Sequence, residues 1–130
     1  VTDRDEYVPP PAPGDLGERG RRLWERIVST YELRADELEV LDNACREADL
    51  IQRIENALRG ADLIVLGSMK QRVANPLVSE IRMHRQVLAS LLRQLRLPDV
   101  DADVDEDDLD PSVRRVISWR ARRAARARWA

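Results

Sequence analysis

Two apolar seams, separated by a Gly-punctuated crossing, restrict this chain to a helical fold. The first runs through Leu38, Leu41, Cys45, Ala48, Ile51, Ile54 and Leu58. Steps of three and four residues place these side chains along one side of a helix. Asp36, Glu37 and Glu39 near its start and Arg59 at its end suit the helix dipole, and Gly60 is a stop signal. A helix is therefore predicted over residues 35–59. The second seam is Leu77, Ile81, His84, Leu88, Leu91 and Leu95, alternating four and three apart. That heptad spacing suits antiparallel packing on the first seam. Asn75 can cap the free N–H groups of a first turn, and Pro76 fits the first helical position. The second helix is predicted over residues 76–95, ended by Leu97-Pro98.

A shorter helix is expected over residues 16–30, where Leu23 and Ile27, and Trp24 and Val28, are four apart. Arg19, Arg21, Arg22 and Arg26 lie mostly off that stripe. Residues 61–74 read as a short β-hairpin or extended crossing, because Leu63 to Leu66 is a β-rich run and Gly67-Ser68 suits a turn. Residues 1–15, with Pro9, Pro10, Pro11, Pro13 and Gly14, read as a flexible, polyproline-like arm.

Charge is segregated beyond this core. Residues 99–110 carry eight acids and no base, and residues 112–130 carry seven Arg and no acid. The acidic stretch repels itself and is expected to be an extended linker. Asp110-Pro111 resembles a second helix start, so residues 111–130 are expected to form an Arg-rich, weakly amphipathic helix or tail. Its Arg114, Arg115, Arg120, Arg122, Arg123, Arg126 and Arg128 can neutralise phosphates, and Trp119 and Trp129 can stack or anchor. The adjacency of the two blocks suggests that the acidic linker transiently covers the Arg-rich tail.

Several chemistries lack their parts. Cys45 is the only Cys, which excludes a disulfide framework and a multi-Cys metal site. His84 is the only His, so a serine triad and a His-based metal site are missing their usual members. Gly60 and Gly67 are not followed by the Gly-Lys-Ser/Thr ending of a phosphate loop. No catalytic residue, metal or cofactor is expected. No apolar run approaches the ~18–20 residues of a membrane span, so no membrane partner is expected either.

The ordered set of signals over residues 17–98 resembles the small terminase subunits of tailed bacteriophages, in particular the branch of siphophages that package DNA from defined ends. The residues that carry the likeness are Leu23-Trp24 with Ile27, Tyr31 and Leu33, Glu37-Leu38 with Leu41 and Cys45, then Gly60 and Gly67. Next comes Asn75-Pro76-Leu77, opening a helix with Arg82, Leu88 and Leu91-Leu92 that closes on Leu95-Arg96-Leu97-Pro98. The resemblance implies a non-enzymatic, ring-forming subunit in the host cytoplasm that binds double-stranded phage DNA and presents it to the large terminase, the ATPase and nuclease. The segment after Pro98 is outside the family pattern, and no helix-turn-helix is evident.

The expected architecture is all-α. A helical hairpin core over residues 16–98, with an additional N-terminal helix and a crossing at 61–74, is followed by the acidic linker and the Arg-rich segment. Apolar stripes wider than one hairpin can cover suggest that neighbouring subunits complete the burial. The candidate seam for core or oligomer is Leu38, Leu41, Cys45, Leu77, Ile81, His84, Leu88, Leu91 and Leu95. The candidate DNA contacts are Arg19, Arg21, Arg22, Arg26, Lys70 and Arg72, together with the seven Arg of the tail; residues 111–130 are also a candidate contact for the large terminase. Two other readings stand beside this one: a small dimeric DNA-binding regulator or antitoxin, and a helical scaffold with no nucleic-acid role.

Overall fold

The computed structural model describes residues 7–98. Three helices, α1 (Glu18–Thr30), α2 (Ala35–Arg59) and α3 (Pro76–Gln94), are joined between α2 and α3 by a two-stranded hairpin, β1 (Ile64–Leu66) and β2 (Arg72–Ala74). The described part is mostly helical, as expected. The Arg-rich segment and the acidic linker lie outside the described residues.

The long helix α2 is central, with α1 and α3 both packed on it. Its buried residues serve two clusters. Leu41 and Cys45 join Leu16, Trp24, Ile27, Val28 and Leu95, while Ile51 and Ile54 meet Ile81, with Leu77 and Leu88 alongside. The seam read as one stripe is therefore shared: Leu41 and Cys45 pack with α1 and with Leu95 at the end of α3, and the later turns of α2 pack with the start of α3. With 25 residues α2 is long enough for both neighbours: α3 meets it along most of its length, while the start of α1 lies against its middle, where Gly17 and Gly20 bond Asp49 and Arg19 pairs with Glu55. Leu38, His84 and Leu91 are half-buried, and α3 buries only Ile81 completely.

Local chemistry sets the ends of the elements. Asn75 accepts a hydrogen bond from the Leu77 amide at 3.0 Å, and Pro76 follows it as the first helical residue. The same Asn75 ties down the hairpin, donating from its side chain to the Asp62 carbonyl at 3.0 Å and from its amide to the Leu63 carbonyl at 2.7 Å. In the hairpin Ile64 faces Ala74, Val65 faces Val73 and Leu66 faces Arg72. Its turn places Lys70 at φ 62°, the left-handed region.

The Pro-rich arm is docked over residues 7–16 instead of hanging free. The Trp24 indole donates to the Pro10 carbonyl at 2.9 Å, the Tyr7 hydroxyl donates to the Val28 carbonyl at 3.2 Å, and Ala12 packs on the first cluster. An indole N–H entering a core needs an acceptor, and a proline carbonyl in an extended arm supplies one. Leu16, expected inside the first helix, precedes it and is buried among the core residues.

Candidate nucleic-acid interface

The arginines of α1 divide by helical geometry. Arg19, Arg22 and Arg26 follow steps of three and four and share one side. They line an open groove of about 340 Å³ with Leu23 from their own helix, Ala48 and Gln52 from α2, and Leu88 and Leu92 from α3. Arg21 is not among these residues; it donates to the Leu16 carbonyl at 3.3 Å. The groove thus has an apolar floor made by three helices and a basic wall made by one.

Charge along that wall is only partly balanced. Arg19 pairs with Glu55 of α2 at 3.3 Å, and Glu55 also accepts from Arg85 of α3 at 3.1 Å. Glu55 bridges α1 and α3. The Arg85 hydrogen bond, aided by Arg19, holds the Glu55 carboxyl below its ordinary value, against the opposing effect of desolvation. Arg22 and Arg26 are exposed and have no ion-pair partner among the described residues.

Lys70 and Arg72 occupy a different element. Lys70 lies in the exposed turn and Arg72 at the start of β2, and the two strands pack chiefly on each other. Around these cations the hairpin exposes Leu63, Ile64, Leu66 and Met69, with 65%, 53%, 68% and 85% of their surface open. Such a density of open apolar surface on a small projecting element suits a protein contact. The seven candidate Arg of residues 114–128 lie outside the described residues.

The remaining polar residues have structural partners. His84 contacts Glu47 through Nδ1 at 2.7 Å and Glu80 through Nε2 at 3.5 Å. Both ring nitrogens thereby face carboxylates, and among the described residues no cluster of three or more His, Cys, Asp or Glu is arranged to hold a metal. The Cys45 thiol is fully buried, and desolvation pushes it up to about 12. Among the described residues no helix is long and apolar enough to cross a membrane.

Sequence reasoning missed Glu55, Gln52 and the groove floor. Helical spacing groups the three arginines, but residues from α2 and α3 reach the same groove only through tertiary packing, and no local pattern marks them. Compared with known proteins, the chain matches no family model, and no curated protein or solved structure is significantly similar to it.

Proposed function

We propose that this protein is a DNA-recognising assembly subunit of the small-terminase type. It binds double-stranded phage DNA as a ring-shaped homo-oligomer in the host cytoplasm and presents it to the large terminase. The observation that carries this reading is the aligned row Arg19, Arg22 and Arg26, two of whose members lack an acidic partner among the described residues. Arginine forks bind phosphate bidentately, and such contacts give salt-sensitive, sequence-indifferent affinity. The exposed apolar hairpin supports assembly, because a neighbouring subunit would cover Leu63, Ile64, Leu66 and Met69. On this reading the protein acts by binding, and bond chemistry belongs to its partner.

The test is native mass in solution, combined with duplex-DNA binding measured across a salt series. One closed assembly of many subunits that binds DNA with a steep salt dependence is the expected result. A dimer binding a palindrome would favour a transcription regulator or antitoxin. Failure to bind DNA at any salt concentration would leave a helical scaffold.

A further inference from the structure

We propose that the groove between α1 and α3 is occupied by the chain's own acidic segment, residues 99–110, which competes with nucleic acid for Arg22 and Arg26. The regulatory half of this inference rests on the DNA-binding reading above; the occupancy itself does not.

Three observations converge on this occupant. The first is where the described chain ends. The Tyr31 hydroxyl, just past the end of α1, donates to the Pro98 carbonyl at 2.6 Å, which holds Pro98, the last described residue, beside the end of α1. Leu92, which lines the groove, is only six residues before Pro98. The second is reach. From Tyr31 back to Arg19 the helix rises about 18 Å at ~1.5 Å per residue. An extended chain covers that in about six residues at ~3.3 Å each, fewer than the acidic run contains.

The third is chemical pattern. The run opens Asp99-Val100-Asp101-Ala102-Asp103-Val104-Asp105, an alternation of acid and small apolar residues. In an extended segment alternate side chains point to opposite sides. Val100, Ala102 and Val104 would then face an apolar floor of Leu23, Leu88 and Leu92, with the carboxylates turned toward the arginine rim. A solvated spacer has no need of that alternation. Arg19 is already matched by Glu55, so Arg22 and Arg26 are the cations left for the segment.

Occupancy is read without DNA by photocross-linking the full-length chain. Val104→Cys takes a benzophenone maleimide, while native Cys45, wholly buried, stays unlabelled. The expected product is a cross-linked monomer on a denaturing gel, mapped to peptides of α1 or the end of α3 and lost on Arg22→Gln with Arg26→Gln. Cross-links to residues 111–130, or none to the groove, would overturn the proposal. A cross-linked dimer would assign the groove to a neighbour's segment and overturn same-chain occupancy.

Competition is read separately by duplex-DNA anisotropy. Changing the eight acids of residues 99–110 to Asn or Gln should tighten DNA binding about tenfold, as expected if the groove is free about one-tenth of the time. That gain should shrink below about twofold in the R22Q/R26Q background, since the gain is the release of that groove. A gain that persists there would mean the acids cover another surface, and would overturn the competition. If no variant binds DNA, the DNA-binding reading fails and the cross-link alone decides occupancy.

Discussion

The Gly20 amide donates a hydrogen bond of 2.7 Å to Oδ1 of Asp49, so the first turn of α1 is capped by a side chain of α2. Oδ2 of the same carboxylate accepts from Gly17 at 2.7 Å. Gly17, the N-cap residue, has no side chain of its own to do this, and Asp49 takes over the usual task of Ser, Thr, Asp or Asn. The contact works because the two helices approach closely at Gly20. A Cβ there would sit 2.5 Å from Oδ2 of Asp49 and 2.6 Å from the Cys45 carbonyl oxygen.

Gly20→Ala is therefore expected to destabilise the protein. In an open helix position the change would gain about 1 kcal/mol from helix propensity. Here overpacking against a backbone carbonyl costs about 1–3 kcal/mol and separates Gly20 from its cap. The net expectation is a loss of about 1–2 kcal/mol, read as a Tm lower by roughly 5–10 °C. Adding Asp49→Ala should not restore stability, because the Cys45 carbonyl remains in the way. A Tm equal to or above that of the parent would show that α1 and α2 do not meet at Gly20.

That cap also marks the limit of what the chain reveals locally. The bounds of α2, Ala35–Arg59, follow from its seam and Gly60, and Asn75-Pro76 opens α3 as its chemistry dictates. Those signals act within one turn of the residue carrying them. The Asp49 cap joins residues 29 and 32 positions apart, and the Trp24–Pro10 bond joins residues 14 apart. No periodicity announces either one. The candidate interface divides in the same way. Spacing alone groups Arg19, Arg22 and Arg26, but Glu55 and the leucines beneath them come from other helices. The sharing of the α2 seam by two partners was likewise hidden, because a helix with two apolar neighbours and a helix with one show the same three-and-four pattern.

Glu55 should give the protein an acid-sensitive link between α1 and α3. Its folded-state value lies below the ordinary 4.5, so its contribution is present above that value and is lost as pH falls through the lowered one. The partners are partly exposed, with 36% of the Arg19 side chain and 58% of the Arg85 side chain open. Solvent screening limits the pair to at most about 1 kcal/mol. Glu55→Gln should thus unfold at lower urea than the parent at pH 7, with the gap between the two midpoints narrowing as pH falls below the ordinary 4.5 and through the lowered value. A gap that stays constant as pH falls from 7 to well below 4.5 would remove Glu55 as the source.

The cations of the hairpin make a test of avidity. Lys70 and Arg72 are exposed and far in sequence from the α1 row, so on the proposed DNA-binding reading each subunit would offer a second weak contact. An assembly repeats such contacts, and simultaneous engagement multiplies small losses. Lys70→Ala with Arg72→Ala should reduce duplex-DNA affinity several-fold or more in the assembled protein, and about twofold to threefold in a dissociated form. An equal loss in both forms would argue against avidity and leave these residues as ordinary surface charge.

The dissociated form itself follows from the apolar residues around those cations. Leu66 and Met69 are 68% and 85% exposed, so replacing them takes almost nothing from the subunit's own core. Leu66→Glu with Met69→Glu should change subunit stability by no more than about 0.5 kcal/mol, as for surface substitutions generally. In an assembly that covers the hairpin, the same two changes bury two carboxylates, only one of which, at position 66, has a cation opposite it in Arg72, and this is far more costly than losing the apolar contact. Native mass should then fall to that of a single 14.9 kDa chain, with helical circular dichroism retained. The Val65–Val73 pair, half-buried between the strands, is untouched by the substitutions and keeps the hairpin formed. If the double variant keeps the parent's mass, the hairpin is not the contact between subunits, and the half-open face of α3 around Met83 and Val87 becomes the surface to change next.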